Sequence, residues 1–138
     1  MASSETILAL DVGEKRIGVA LADTSVRIAI PYDTIDADGT EVAQITNLIV
    51  AENVNRLVIG YPRNQSGEAT AQTAYVEEFA EKLRGLETDI EFQDESLTSV
   101  QAEERLKAQN RPYNKGDIDM VAASIILQDY LEIQYGRI

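Results

Sequence analysis

The chain has 138 residues and a mass of 15.2 kDa, which at about 100 to 200 residues per domain predicts a single domain over residues 1–138. It contains no Cys and no His, so thiolate or imidazole zinc sites, cysteine nucleophiles and Ser-His-Asp triads are excluded. Twelve Lys and Arg against 24 Asp and Glu give a net charge of −12, which argues against indiscriminate binding of polyanions or anionic membranes.

The first residues lack the basic start and apolar run of a secretory signal, and no stretch approaches the ~20 apolar residues of a membrane span. A cytoplasmic protein without a membrane partner is the expectation. Ile7-Leu8-Ala9-Leu10 is a continuous apolar run stopped at Asp11-Val12-Gly13, the pattern of a strand buried on both faces. Two further β-like stretches, Ile17 to Ala22 and Val26 to Ile30, follow before Pro31. Their short connections allow antiparallel neighbours and no crossover helix, so the three segments should form a meander.

Asp38, with Glu41 three residues on, can cap a helix carrying Val42, Ile45, Leu48 and Ile49 at helical spacing. Leu57-Val58-Ile59 is a short buried strand closed by Gly60-Tyr61-Pro62, and a polar loop leads from it to a second helix marked by Tyr75, Val76, Phe79 and Leu83. Residues 89–94 alternate as a half-buried strand does. Thr98 and Gln101 form a capping-box pair for a helix through Leu106, and Asn110 to Tyr113 breaks it. The last helix, about Ile118 to Ile133, is apolar over most of its circumference and should be largely buried. The order predicts a mixed α/β sheet with parallel strands and helices on its faces.

In such sheets ligands lie at the carboxyl ends of the strands, which directs attention to Asp11, Gly60 and Asp94-Glu95. Without His or Cys, hydrolysis of phosphate esters can still proceed where clustered carboxylates hold two Mg²⁺ or Mn²⁺ ions roughly 4 Å apart. Asp11, Glu95 and Asp119, the last at the start of the buried helix and followed by Ala122 and Ala123, are the candidates. Each also has a plain structural reading. Asp11 suits a turn, Asp94 and Glu95 suit solvated charges before a helix cap, Asp117 suits an N-cap and Asp119 the first helical turn. Spacing alone does not bring positions 11, 95 and 119 together.

The string Ala9-Leu10-Asp11-Val12-Gly13-Glu14-Lys15-Arg16-Ile17-Gly18-Val19-Ala20, followed by Asp23, resembles the opening of the bacterial YqgF/RuvX family of pre-16S rRNA nucleases and Holliday-junction-resolvase-like proteins. Three later blocks match in order: Val58 to Asn64 with Gly67, Asp94 to Ser99, and Lys115-Gly116-Asp117-Ile118-Asp119 with Ala122-Ala123 and Ile126-Leu127. The resemblance implies an RNase H-like fold with a five-stranded mixed sheet ordered 3-2-1-4-5 and helices on both faces. It also implies a Mg²⁺- or Mn²⁺-dependent nuclease site at Asp11, Glu95 and Asp119, with Asp11 bridging and Asp117 a further candidate ligand. Water is then the nucleophile. The chain departs from the family at Ser96, where many members carry Arg, and at Tyr61, where Leu is common. Its fourth strand lacks the acid that RuvC-type resolvases place there, so Glu95 on the next strand must supply it. Asp94 shares alternation with Ile90 and Phe92, which points to the other side of the sheet, and it stays open as a further acid of the site.

A nuclease of this acidity must hold its polyanion locally. From Arg105 to Gly116 there are four basic residues, Arg105, Lys107, Arg111 and Lys115, and no acid. Arg63, Lys15 and Arg16 are the other predicted phosphate contacts, whereas residues 77–104 hold ten acids against Lys82 and Arg84. The expected function is therefore endonucleolytic processing of the 5′ end of pre-16S rRNA by a monomer or weak dimer, acting on structured RNA and associated with ribosomal particles. Two alternatives stay open, a Holliday junction resolvase acting on branched DNA, which would demand a symmetric dimer, and a non-catalytic nucleic-acid-binding module. An actin- or sugar-kinase-like ATPase shares the Asp-x-Gly opening but needs a second domain.

Overall fold

Alternation of apolar side chains fixes both layers of the molecule. The chain is described by a computed structural model over residues 4–62, 68–86, 88–95 and 98–136. Its elements run β1 (Thr6–Val12), β2 (Arg16–Asp23), β3 (Ile30–Asp36), α1 (Glu41–Ala51), β4 (Arg56–Pro62), α2 (Ala71–Leu83), β5 (Asp89–Glu95), α3 (Thr98–Ala108) and α4 (Lys115–Tyr135). The strands form one sheet in the order β3-β2-β1-β4-β5. β1, β2 and β3 pair antiparallel, as the short connections require, while β4 and β5 run parallel to β1.

On one face, Leu8, Leu10 and Val12 of β1 join Ile17, Val19, Leu57 and Ile59 under Ile45 of α1 and Val76, Phe79 and Leu83 of α2. The intervening residues Ile7, Ala9, Ala20, Ala22 and Val58 point the other way and meet Ala123, Ile126, Leu127, Tyr130 and Leu131 of α4. Beyond α4, Ala102 of α3 packs on Ala122 and Ile125. The last helix is thus held between a sheet and a second helix, which is why nearly its whole circumference is apolar. Each fully buried Leu or Ile contributes on the order of 1.5–3 kcal/mol. The alternation also sends odd residues of β1, even residues of β2 and odd residues of β5 to the α4 face.

Three sequence expectations are corrected. The third strand is not Val26 to Ile30 but Ile30–Asp36, and it contains Pro31. Asp23 folds the preceding segment into a turn: its Oδ1 accepts the Ser25 N–H at 2.8 Å, its carbonyl accepts the Val26 and Arg27 N–H groups, and Arg27 takes a left-handed φ of 63°. Val26 and Ile28 are left exposed. Pro31 is tolerated because β3 is an edge strand whose pairing slips between Val19 and Ala20, where a missing N–H costs no ladder bond.

The first helix starts after Thr40, not at Asp38. Asp38 Oδ1 accepts the Thr40 N–H at 3.0 Å and Glu41 Oε1 accepts the Gly39 N–H at 2.7 Å, so both acids close the turn that precedes the helix. The last helix begins at Lys115 with Asn114 as its N-cap, three residues before Asp117. Asn114 Oδ1 accepts the Asp117 N–H at 2.9 Å and Asp117 Oδ2 accepts the Asn114 N–H at 3.0 Å, a reciprocal capping box.

Candidate functional site

Asp11 is the penultimate residue of β1 and, being odd, projects toward α4. Gly18 lies opposite it across the β1–β2 ladder, and a Cβ at Gly18 would overlap the Asp119 carbonyl oxygen. The missing side chain lets the first turn of α4 settle on the sheet and deliver Asp119 beside Asp11. On the other flank, Glu95 ends β5 on the same face, paired in register with Pro62. A Cβ at Gly60 would overlap Glu95 Oε2 and crowd Ile126 Cδ1, so glycine there makes the space the Glu95 carboxylate occupies. A glycine inside a strand often marks such a close approach.

Three acids far apart in sequence therefore lie in one electrostatic neighbourhood. Burial, and then the charge of Asp119, push the Asp11 carboxyl from its ordinary 3.8 to about 7. Burial, and then Asp11, push Glu95 from 4.5 to about 8. Glu95 Oε2 is buried with no hydrogen-bond partner, and among the described residues the Asp11 carboxyl makes no hydrogen bond or ion pair. A buried acceptor without a partner costs about 1–3 kcal/mol, and clustered carboxylates add repulsion. Asp119 differs, since its Oδ2 accepts from Arg16 Nε at 2.5 Å. With Asp119 so turned, no three acidic side chains among the described residues stand spaced to ligate one ion. The donor chemistry nonetheless fits a hard dication: three carboxylates, one orphaned buried oxygen, and a cradle that a Cβ at Gly60 would fill.

The other predicted residues distribute as follows. Arg16, expected to touch phosphate, instead pairs with Asp119. Asp117, considered as a metal ligand, has its carboxylate engaged by the α4 cap. Lys15 is exposed and lines a groove of about 370 Å³ with Gly13, Glu14, Arg16, Gln72 and Asp119. Gln72 closes one wall by donating to the Val12 carbonyl at 3.0 Å. Lys107, Arg111 and Lys115 are exposed along α3, the following loop and the start of α4. That loop is tied back where the Tyr113 hydroxyl donates to Glu103 Oε2 at 3.1 Å. Arg105 faces Asp129, whose carboxyl burial and Glu132 push up while Arg105 works against them. Arg63 and Ser96 fall outside the described residues.

Asp94 lies on the opposite face from Glu95, as its alternation predicts. It lines a larger recess of about 670 Å³ at the β5 edge with Tyr61, Glu77, Glu81 and Phe92. Arg84 also lines it, but Asp94, Glu77 and Glu81 outnumber that cation and make the recess a poor seat for a polyanion. Sequence reasoning missed the Arg16–Asp119 pair and the spacing roles of Gly18 and Gly60. Two glycines on the α4 side of β2 and β4, the strands that flank β1, were the available signal.

The fold superposes on RuvC of Thermus thermophilus in complex with a Holliday junction substrate, with a TM-score of 0.59 and 13% identity over 96% of each chain. It also superposes on fowlpox virus resolvase in complex with Holliday junction DNA, with a TM-score of 0.56 and 12% identity over 94% of this chain and 99% of that one. The molecule thus has the RNase H-like fold of the resolvases. Within that class the family model described as RuvX: Holliday junction resolvase matches residues 5–133, and the chain belongs to this family. A relative from Chloroflexus aurantiacus is 47% identical over 135 residues, covering 94% of this chain and 88% of its own length. One from Synechocystis sp. is 42% identical, covering 100% of this chain and 94% of its own. Both carry the name "Putative pre-16S rRNA nuclease".

Proposed function

We propose that this chain is a metal-dependent endonuclease of the cytoplasm that processes the 5′ end of pre-16S rRNA, with Asp11, Glu95 and Asp119 as its catalytic acids. One observation carries the reading: the acids of β1, β5 and α4 share one face, and burial and mutual repulsion hold two of them far above the ordinary carboxylate range. Perturbed acids gathered at strand ends are the mark of a functional site rather than of packing. Mg²⁺ or Mn²⁺ bound there would supply water activation and charge neutralisation.

The chain's own residues do the rest. Asp11, central to the three, offers lone pairs toward both neighbours. Glu95 brings its orphaned Oε2 from the far flank, and Asp119 is carried in on the rigid start of α4. Bringing a dication to these oxygens requires Asp11 and Glu95 to release the protons that burial favours, so loading strengthens as pH rises through about 7 to 8. Exposed Lys15, Lys107, Arg111 and Lys115 are the proposed phosphate contacts, with Arg105 beside them; the acidic β5 edge keeps nucleic acid off the opposite side.

Structured RNA is put before branched DNA on the name its relatives bear. The test is cleavage of a pre-16S rRNA leader fragment and of a four-way DNA junction, side by side, with and without Mn²⁺. Metal-dependent cutting of the RNA that Asp11→Asn removes supports the proposal. Preferential cutting of the junction would reassign the substrate, and cutting of neither would make the protein a binding module.

A further inference from the structure

Arg16 opens β2 on the α4 side of the sheet, and its Nε donates to Asp119 Oδ2 at 2.5 Å with the two side chains 31% and 21% exposed. A guanidinium stays charged at every physiological pH and has donors to spare beyond the one used here. It also borders the groove formed with Gly13, Lys15 and Gln72, which leads outward from Asp119. A divalent ion at the Asp119 carboxylate competes with Arg16 for its charge and repels the guanidinium. The groove into which Arg16 can turn is lined by Lys15 and also by Glu14, so Arg16 and Lys15 together bring two cations against one carboxylate to a phosphate seated there.

We infer that Arg16 is a placeholder cation. In the metal-free protein it neutralises Asp119, and when a divalent ion loads it swings into the adjoining groove to grip a substrate phosphate. This rests on the metal-centre reading above and adds a coupling to it: ion loading creates a phosphate contact, and a bound phosphate draws away the residue that competes with the ion. Such coupling is reciprocal by linkage. Without metal, Arg16 is held by Asp119 and is not offered to a phosphate, so the empty enzyme grips substrate less firmly. Arg16 acts here as a positioning residue in one state and a phosphate contact in the other.

The experiment is calorimetric titration of MnCl₂ alone into wild type, Arg16→Gln, Arg16→Lys and Asp11→Asn. It is paired with KM for a structured RNA fragment at saturating Mn²⁺ and with thermal melts of each metal-free protein. Removing the competing guanidinium should tighten Mn²⁺ binding about threefold to tenfold while raising KM by a similar factor, and Arg16→Lys should restore most of both. Mn²⁺ binding by Arg16→Gln that is unchanged or weaker than wild type would overturn the inference, making Arg16 a support for Asp119. If Arg16→Gln does not melt as a folded protein, Arg16→Met, which also removes the charge, carries the same opposed signs. Asp11→Asn separates the two levels: it should lose Mn²⁺ affinity whatever Arg16 does, and retention of wild-type affinity there would sink the metal centre itself.

Discussion

Glu91 and Glu95 stand four residues apart on β5, face the same helix, and are treated in opposite ways. Glu91 receives the Tyr130 hydroxyl and lies 3.3 Å from Arg56 Nη1, and the same arginine donates to the Tyr130 hydroxyl at 2.8 Å and approaches Glu5 at 3.4 Å. Glu95 has a buried oxygen with no partner and faces Asp11. At one end Arg56 forms ion pairs with both Glu5 and Glu91, although Glu5 Oε2 makes no hydrogen bond; at the other Arg16 pairs with Asp119, and Glu95 is left facing Asp11. A fold able to supply Arg56 at one end and leaving Glu95 orphaned at the other retains a destabilising feature, and such features persist where a ligand or reaction uses them.

The comparison is broken most severely by exchanging the acids. Asp11→Asn and Glu95→Gln should each lower cleavage by about 10²–10³-fold or more while the fold survives, as read by RNA cleavage together with circular dichroism. Glu91→Gln should leave cleavage within about twofold and cost about 1 kcal/mol in a denaturant melt, since its ion pair is partly exposed. Equal losses of activity at 91 and 95 would erase the distinction between the two ends.

Stability against pH gives the next largest effect. Asp11 and Glu95 have folded-state values of about 7 and about 8, above their ordinary 3.8 and 4.5. Between those limits the folded protein holds protons that the unfolded chain has lost, so stability falls as pH rises through the window and levels off above about 8. Metal-free protein should lose up to about 6 kcal/mol between pH 5 and pH 8 in urea melts, Asp11→Asn should make the curve shallower, and Mn²⁺ should restore stability at pH 8. A flat wild-type curve would mean that neither burial nor the neighbouring charge raises these acids.

Gly60→Ala sharpens the contrast from the backbone. A methyl there displaces the Glu95 carboxylate and presses on Ile126, with an expected cost of about 1–3 kcal/mol and about a tenfold loss of cleavage. The smallest effect belongs to Lys115→Ala, which should raise KM severalfold and lower the salt slope of RNA binding by about one. Unchanged binding would place phosphate elsewhere.

Local pattern carried most of the architecture into view. The buried run Ile7 to Leu10, the alternation that turns Asp94 away from Glu95, and the all-round apolar α4 each follow from periodicity that the packed layers then satisfy. The strand after β2 was misplaced because Pro31 looks like a stop, whereas an edge strand with a slipped register accommodates it. The start of α4 was set too late because Asp117 and Asn114 are both good caps, and only the reciprocal pair of hydrogen bonds decides between them. Asp11 and Glu95 were legible as candidates from their places at strand ends, and Asp119 from its place near the start of the last helix. The partner of Arg16 was not, since it lies 103 residues away and depends on Gly18 letting α4 touch β2.

The most direct measurement is anomalous scattering from a crystal soaked in MnCl₂ at pH 8. The account predicts Mn²⁺ bound by Asp11 and Glu95, with Asp119 turned from Arg16 toward the ion. A crystal in which Mn²⁺ settles only on outlying acids, with the Asp119–Arg16 pair intact and Glu95 still unpartnered, would contradict it.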